Sequence, residues 1–346
     1  MNFLVGNEQS GNSGESPRAV RRPTRLDVAR FAGVSPAVVS YTVNSGPRPV
    51  AAETRARVQE AIRILGYRPN AAARSLKVGL TKMFGLIVPD SSNPFFALLG
   101  HALEDAAAAK GYALIVVNSD GSGEQVARSI RDLAMRGVDG MLITASVSVP
   151  ILAAITENGT RVVMLNQRTP VDGISAIGPD LYGGAVAAVR HLIGHGHTNI
   201  SYVGEVDPLS ERYRGWKQAL VAAGLTPGPV AESPFSREGG YRAAQALIAD
   251  GNCPTAVFVS SDMQAVGVLR AFHEAGIEVP QQVAIVGFDG SPESEYSWPA
   301  LTTVRQPVRE MALEAIERLV APADSGGFTL HGTTLLVRQS CGCDIR

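Results

Sequence analysis

"LDVARFAGVSPAVVSYTVN", Leu26–Asn44, decides how this chain is read, because it holds two short apolar-periodic stretches separated by a glycine and a Ser-Pro pair. Ser35 suits an N-cap, and Pro36 suits a first helical turn, where its missing N–H has no intrahelical acceptor to lose. The second helix therefore starts sharply after Gly33, a residue that lets the chain turn tightly. Two readings follow: a helix-turn-helix that lays one helix into a DNA groove, or an ordinary helical hairpin within a core.

Outward from that stretch, the periodicity predicts a first helix near Arg25–Ala32, a second from Ser35 to about Val43 and a third near Glu53–Leu65. In the third, Val58, Ile62 and Leu65 share one face at i, i+4 and i+7. Ala29, Val34 and Val39 are expected to form the small core that fixes the angle between the first two helices. "NSGPRPVA" is rich in turn formers and reads as a loop. Residues 1–22 are polar, rich in Gly and Ser, and end in a basic cluster, as a disordered basic arm would. Charge segregates sharply: residues 1–77 carry 12 Lys/Arg against 5 Asp/Glu and the rest 19 against 27, within a net charge of −1. A basic head on an acidic body points to a polyanionic partner, most simply nucleic acid.

Beyond Lys77 short apolar runs alternate with longer amphipathic stretches, as in a parallel α/β sheet. The strand runs are "FGLIVP", "YALIVV", "GMLIT", "RVVML", "NISYVG", "TAVFVS" and "VAIVGF". Helical stretches lie at Phe95–Lys110, Gln125–Arg136, Gly183–Gly194, Arg212–Ala223, Arg237–Ala249 and Met263–Ala275. The run is long for one doubly wound sheet, and dividing it near Gly178 gives two lobes of ordinary size with a cleft. Ligands in such sheets sit beyond the carboxyl ends of the strands, so residues just after the runs are the first site candidates.

Other classes are disfavoured. No apolar run reaches the ~18 residues of a membrane span, and the first residues lack a signal-peptide apolar region. The three cysteines are odd in number, and Cys341 and Cys343 lie too close in sequence for ordinary disulfide geometry, which suits a reducing compartment. A soluble, cytoplasmic protein with no membrane partner is expected. "GSGEQV" is an incomplete glycine fingerprint, and neither a Walker loop nor a recognisable Ser/His/Asp or Cys/His motif occurs, so no catalytic residue and no cofactor are assigned. A C-x-C without cysteine or histidine near it in sequence is a weak metal signal. "HLIGHGH", carrying His191, His195 and His197, reads as a flexible helix end, and no metal site is expected.

"TRLDVARFAGVSPAVVSYTVN", "VAAETRARVQEAIRILGYRPNAAARSL", "GLIVPDSSNPFF", "RGVDGMLIT", "RYRGWKQAL", "VFVSSDMQAVGVLRAF", "VAIVGFDG", "PALTTVRQP" and "LLVRQS" follow in that order. Together, over about Thr24–Ser340, they resemble the lactose/galactose (LacI/GalR) family of transcriptional repressors. The resemblance favours the DNA reading of the opening stretch. It implies a small all-α helix-turn-helix head plus an α/β core of two Rossmann-like lobes of periplasmic-binding-protein type. The implied domains are a head at 23–69, a hinge helix and linker at 70–80, and a core at 81–346. Within the core the first lobe takes about 81–179 plus 307–322, and the second about 180–306 plus 327–341.

By that resemblance Pro36, Ala37 and Tyr41 read bases in the major groove, while Thr24, Ser35, Ser40 and Asn44 hold phosphates. Proline and alanine offer only apolar contact, and tyrosine stands where arginine is frequent, so the operator is not copied from a known relative. The loop "SGPRPV" is one residue longer than in the family's lactose repressor. Ala51 replaces a usual serine N-cap, so the third helix is expected to start a residue or two later, with Glu53 supporting its dipole. "YRPNAAARSL" resembles the hinge helix, in which Leu76 would wedge into the minor groove beside Asn70, Ala73 and Arg74.

The resemblance also implies a small-molecule effector held between the lobes by Asn93, Phe95, Phe96, Asn166, Arg212, Phe235, Asp262 and Asp289. A carboxylate accepting two hydroxyl protons, a guanidinium fork and an aromatic face suit a sugar or related metabolite. A purine is the rival effector, but the positions that grip the base in the family's purine-binding member fall on Val206 and Pro208, which lack the polar groups. The expected protein is a ligand-responsive regulator, most simply a repressor, acting as a homodimer on double-stranded DNA with a pseudo-palindromic operator. A solute-binding protein without a DNA role is the alternative.

Overall fold

The computed structural model describes residues 23–44, 48–68, 79–145, 147–157, 159–251, 253–321 and 327–343, and the chain divides into two units, Met1–Gly79 and Leu80–Arg346. The first unit holds three helices, α1 (Arg25–Ala32), α2 (Pro36–Asn44) and α3 (Ala52–Leu65). Thr24 and Asp27 form a reciprocal capping box at the start of α1: Asp27 N–H donates to Thr24 Oγ1 at 3.4 Å, and Thr24 N–H to Asp27 Oδ2 at 2.8 Å. Gly33 ends α1 at φ 64°, ψ 39°, a left-handed position where a side chain would be strained. Ser35 Oγ accepts the Val38 N–H at 3.4 Å, which starts α2 where the sequence places it. Val28, Ala29, Ala32, Val39, Val58 and Ala61 are buried together, with Val34, Val43, Ile62 and Leu65 packed against them. The third helix begins at Ala52, earlier than expected; Ala51 caps it without any side-chain bond.

The second unit holds two six-stranded sheets. The first contains β1 (Met83–Val88), β2 (Ala113–Asn118), β3 (Gly140–Ile143), β4 (Arg161–Leu165) and β5 (Ser175–Pro179). It alternates with α4 (Pro94–Ala109), α5 (Gly123–Met135) and α6 (Val149–Glu157). The second contains β6 (Ile200–Gly204), β7 (Val230–Glu232), β8 (Ala256–Val259), β9 (Ala284–Asp289) and β10 (Thr302–Arg305). Its helices are α7 (Leu181–Gly194), α8 (Glu211–Ala222), α9 (Arg237–Ala249), α10 (Asp262–Glu274) and the short α11 (Glu293–Tyr296). Then α12 (Val308–Val320) returns to the first lobe, followed by β11 (Gly327–His331) and β12 (Thr334–Leu336).

Strand order is β11-β5-β4-β3-β1-β2 in one sheet and β12-β10-β9-β8-β6-β7 in the other. Every pairing is parallel except β10 with β12. Parallel strands covered on both faces need continuous apolar runs, and β1 as FGLIV or β9 as AIVGF supplies them. Each sheet has a core cluster on each face: one centred on Leu99, Leu103 and Met311, the second on Ile130 and Met141, the third on Tyr202 and Trp216, the fourth on Val268 and Phe272.

The chain crosses between lobes three times, after Pro179, after Arg305 and after His331. The third corrects the expected boundary, because Gly327–His331 belongs to the first lobe and only the later residues of 327–341 belong to the second. β11 pairs in register with β5 from Gly327↔Ser175 to His331↔Pro179. Side chains fix it to α12: His331 Nε2 lies 2.7 Å from Glu314 Oε2, Thr329 Oγ1 donates to Glu314 Oε1 at 2.7 Å, and Arg318 Nη1 donates to the Gly327 carbonyl at 2.8 Å. No helix among the described residues is long and apolar enough to cross a membrane.

Candidate functional site: a DNA-reading head and an interlobe cavity

On α2 the expected contact residues fall on one side. Pro36, Ala37, Ser40, Tyr41 and Asn44 recur at i, i+1, i+4, i+5 and i+8, while Val39 and Thr42 on the other side are buried. Ala37 is exposed and Pro36, Ser40 and Tyr41 are half-buried, so this face stays outside the head's core, which α1, α2 and α3 build together. Thr24 and Ser35 both act as caps, at the N-termini of α1 and α2. Asn70, Ala73, Arg74 and Leu76 lie outside the described residues, as does the arm at 1–22.

In the second unit a cavity of about 520 Å³ opens between the carboxyl ends of the two sheets. Its first-lobe wall carries Asn93, Phe95, Phe96 and Asn166; its second-lobe wall carries Arg212, Phe235 and Asp289. Seven of the eight expected residues thus meet in one place. Asn93 Oδ1 caps α4 by accepting the Phe95 N–H at 3.0 Å, and the Phe95 and Phe96 rings meet edge to face at 5.1 Å. Phe95 serves two roles, since it also belongs to the first-lobe core and is 5% exposed.

Arg212 lies in the first turn of α8. Three residues on, Gly215 lets α8 press against α7: a Cβ there would sit 2.7 Å from the Tyr182 carbonyl oxygen. Arg212 Nη2 donates to Asp289 Oδ1 at 3.1 Å, and Gln306 Nε2 donates to the same oxygen at 2.8 Å. The guanidinium also lies 4.5 Å from the Phe288 ring centroid and 5.7 Å from that of Phe235. Burial pushes the Asp289 carboxyl above the usual carboxylate range, against the opposing pull of Arg212 and Gln306. Phe235 is 41% exposed, a large ring left uncovered at the cavity edge.

Two features mark this cavity as built for a ligand. Arg212 Nε and Asn166 Oδ1 are buried without a hydrogen-bond partner, a donor on one wall and an acceptor on the other. Besides Lys82, the non-glycine residues at positive φ among the described residues are Asp120 (47°), Asn166 (57°) and Asp289 (118°), and all three line the cavity. Strain held at three points around one space is the pattern of a functional site.

Asp262 corrects the expected ring. It does not line the cavity: fully buried at the start of α10, its Oδ2 accepts the Ser291 N–H at 2.7 Å and its Oδ1 the Thr303 hydroxyl at 2.5 Å. It ties the turn after β9 to β10, one layer beneath Asp289. Burial, then the neighbouring Asp289 charge, raise its carboxyl too. Conversely, Asp90, Asp120, Gly121 and Thr144 line the cavity and were not singled out from sequence. Each lies within three residues of the end of β1, β2 or β3, so the rule about strand ends contained the signal. Away from the cavity, two stretches judged separately to be poor metal sites come together: His191 and His195 stand beside Cys341 and Cys343.

The head and the two-lobed core with its interlobe cavity together define a ligand-responsive, DNA-binding transcriptional regulator. Residues 24–70 match the model of bacterial regulatory proteins of the lacI family, and residues 189–341 that of the periplasmic binding protein-like domain. The chain is 37% identical over 309 residues to the HTH-type transcriptional repressor PurR of Edwardsiella ictaluri, covering 86% of this chain and 89% of that one. It is 35% identical over 330 residues to PurR of Pasteurella multocida, covering 92% and 98%. Among solved structures, the lac repressor dimer bound to operator and the anti-inducer ONPF superposes with a TM-score of 0.81 at 26% identity, over 93% of this chain and 99% of that one. A LacI family regulator from Enterococcus faecium with bound ribose superposes at 0.68 and 28% identity, over 75% and 98%. The chain belongs to the LacI/GalR family of transcriptional regulators.

Proposed function

We propose that this protein is a cytoplasmic repressor that binds a pseudo-palindromic operator as a homodimer and changes its operator affinity when a carbohydrate or related metabolite fills the interlobe cavity. It is a binding protein without catalytic residues or cofactor. The observation that carries the effector class is the wall of Arg212, Asp289 and Phe235. A buried carboxylate and a guanidinium hold neighbouring hydroxyls, and an exposed ring covers the apolar face of a sugar. The structural relative with ribose bound supports this class. Curated relatives include the HTH-type transcriptional repressors PurR, but Val206 and Pro208, which the family resemblance places at the base-gripping positions of its purine-binding member, are not among the cavity-lining residues.

Gln306 gives the ligand a lever. It sits at the second crossing between lobes and bonds Asp289 through both its side chain and its N–H, at 2.8 and 3.1 Å. A ligand that engages Asp289 therefore acts on the crossing, and a preference of ~1–3 kcal/mol for one lobe arrangement alters DNA affinity about 5–150-fold. For the dimer, Tyr296 and Trp298 are 84% and 89% exposed around a groove with Val266, Leu269 and His273, an aromatic patch suited to burial by a second copy.

The test is binding to fragments of the protein's own upstream DNA and a promoter panel across a salt series, with sugars and nucleosides added. Specific binding should weaken by about 0.9 in log K per decade of salt for each phosphate neutralised, and one sugar should shift it. Failure to bind any DNA specifically would overturn the regulator; a response to nucleosides alone would overturn the effector class.

A further inference from the structure

At the far end of α7 from the cleft, four soft or borderline ligands converge. His191 and His195 stand one helical turn apart at its C-terminus, and Cys341 and Cys343 come from the segment after β12. The ligand atoms all lie within 4.8 Å of one another. Cys343 Sγ is 3.2 Å from His195 Nε2 and 3.7 Å from His191 Nε2. In a tetrahedral zinc site with ordinary Zn–S and Zn–N bonds, ligand atoms are about 3.3–3.8 Å apart. We propose that His191, His195, Cys341 and Cys343 form a Cys2His2 site for one zinc-class divalent cation, which clasps the C-terminal segment to the second lobe.

The segment is held in place without help from a metal. Ser340 Oγ accepts the Thr302 N–H at 2.8 Å and donates to the Ile285 carbonyl at 2.6 Å, and Gln339 N–H donates to the Ala300 carbonyl at 3.0 Å. Cys341 is 1% exposed and packs in the core cluster with Trp216 and Tyr202. Gly342, at φ 88°, turns the chain between the two cysteines, a conformation that a side chain rarely adopts. On the other side, residues i and i+4 of one helix present both imidazoles to the same space, at the end where the helix dipole favours a cation. Two thiolates and two imidazoles without a carboxylate select zinc over magnesium or calcium.

Ligation replaces two S–H bonds with S–metal bonds and releases two protons; one of these is the Cys341 thiol proton now directed at the Arg338 carbonyl, 3.4 Å away. No oxidant takes part. The site is open at exposed His195, which gives a cation its way in.

The experiment uses the full chain. Protein stripped with chelator and then dialysed against zinc should retain about one equivalent, and cobalt should give the visible bands of a tetrahedral thiolate complex. His195→Ala and Cys343→Ser, both outside the buried core, should abolish retention and the cobalt bands while leaving the far-ultraviolet spectrum unchanged. Zinc should raise the melting temperature of the parent and not of the variants. Equal zinc retention by parent and double variant, no retention by the parent, or cobalt spectra without thiolate bands would overturn the site. Isolation of a Cys341–Cys343 disulfide from protein purified with zinc present would also overturn it.

Discussion

The two lobes share a topology but face the cavity differently. The first offers the Asn93 and Asn166 amides, the Phe95 and Phe96 rings and two carboxylates, Asp90 and Asp120. The second offers the ion pair Arg212–Asp289, with side chains only 14% and 7% exposed, and a bare aromatic ring. A buried ion pair adds little stability, because desolvation offsets its Coulomb gain, but it makes a preorganised grip. The buried ion pair and the bare ring thus set the second lobe's wall apart from the first.

Arg212→Met should have the largest effect, since it leaves Asp289 buried and unpaired: ~3–5 kcal/mol of stability, read by denaturant unfolding, together with loss of effector binding by calorimetry. Asp289→Asn should cost about 1.5–3 kcal/mol in effector binding, the worth of hydrogen bonds to a charged group. The same carboxyl predicts pH effects of opposite sign. Its folded-state pKa is raised, so its contribution to stability is full below the ordinary carboxylate value and is lost as pH rises through the raised one. Effector binding needs the ionised form, so affinity falls as pH drops through that same raised value. Calorimetry and unfolding across pH should show both trends, and Asp289→Asn should remove its part of each.

Phe235→Ala should cost roughly 1–2 kcal/mol of effector affinity with little change in melting temperature, because the ring is half in solvent. The smallest expected effect is at the Asn166 amide of the first lobe's wall. Asn166→Gly keeps the left-handed backbone accessible and removes one neutral hydrogen bond, about 0.5–1.5 kcal/mol of affinity. A larger loss there than at Asp289 would reverse the contrast between the lobes.

Much of this was legible in the chain. The capped helices around Gly33 and the seven strand runs follow from local chemistry, because each depends on residues adjacent in sequence. Arg212 and Asp289 were legible through the family resemblance that "RYRG" and "GFDG" help to carry, and both line the cavity. What escaped depends on distant partners. β11, as GFTLH, has no apolar run of its own and is a strand only because β5 and α12 receive it. Asp262 follows a strand end just as Asn166 does, yet Thr303 and Ser291 draw its carboxylate inward. The Cys and His stretches lie some 150 residues apart, and only the second lobe's packing joins them.

The third crossing carries a consequence for synthesis. The sheet of the first lobe is completed by β11, and its Leu99 face by α12, so that lobe stays unfinished until nearly the whole chain has been translated. The second lobe, encoded between these pieces, must begin to fold while its predecessor still exposes an open strand edge at β5. A ribosome stalled before Gly327 would carry a finished head and a first lobe prone to clump, with chaperone demand concentrated on the nascent chain rather than on the released protein.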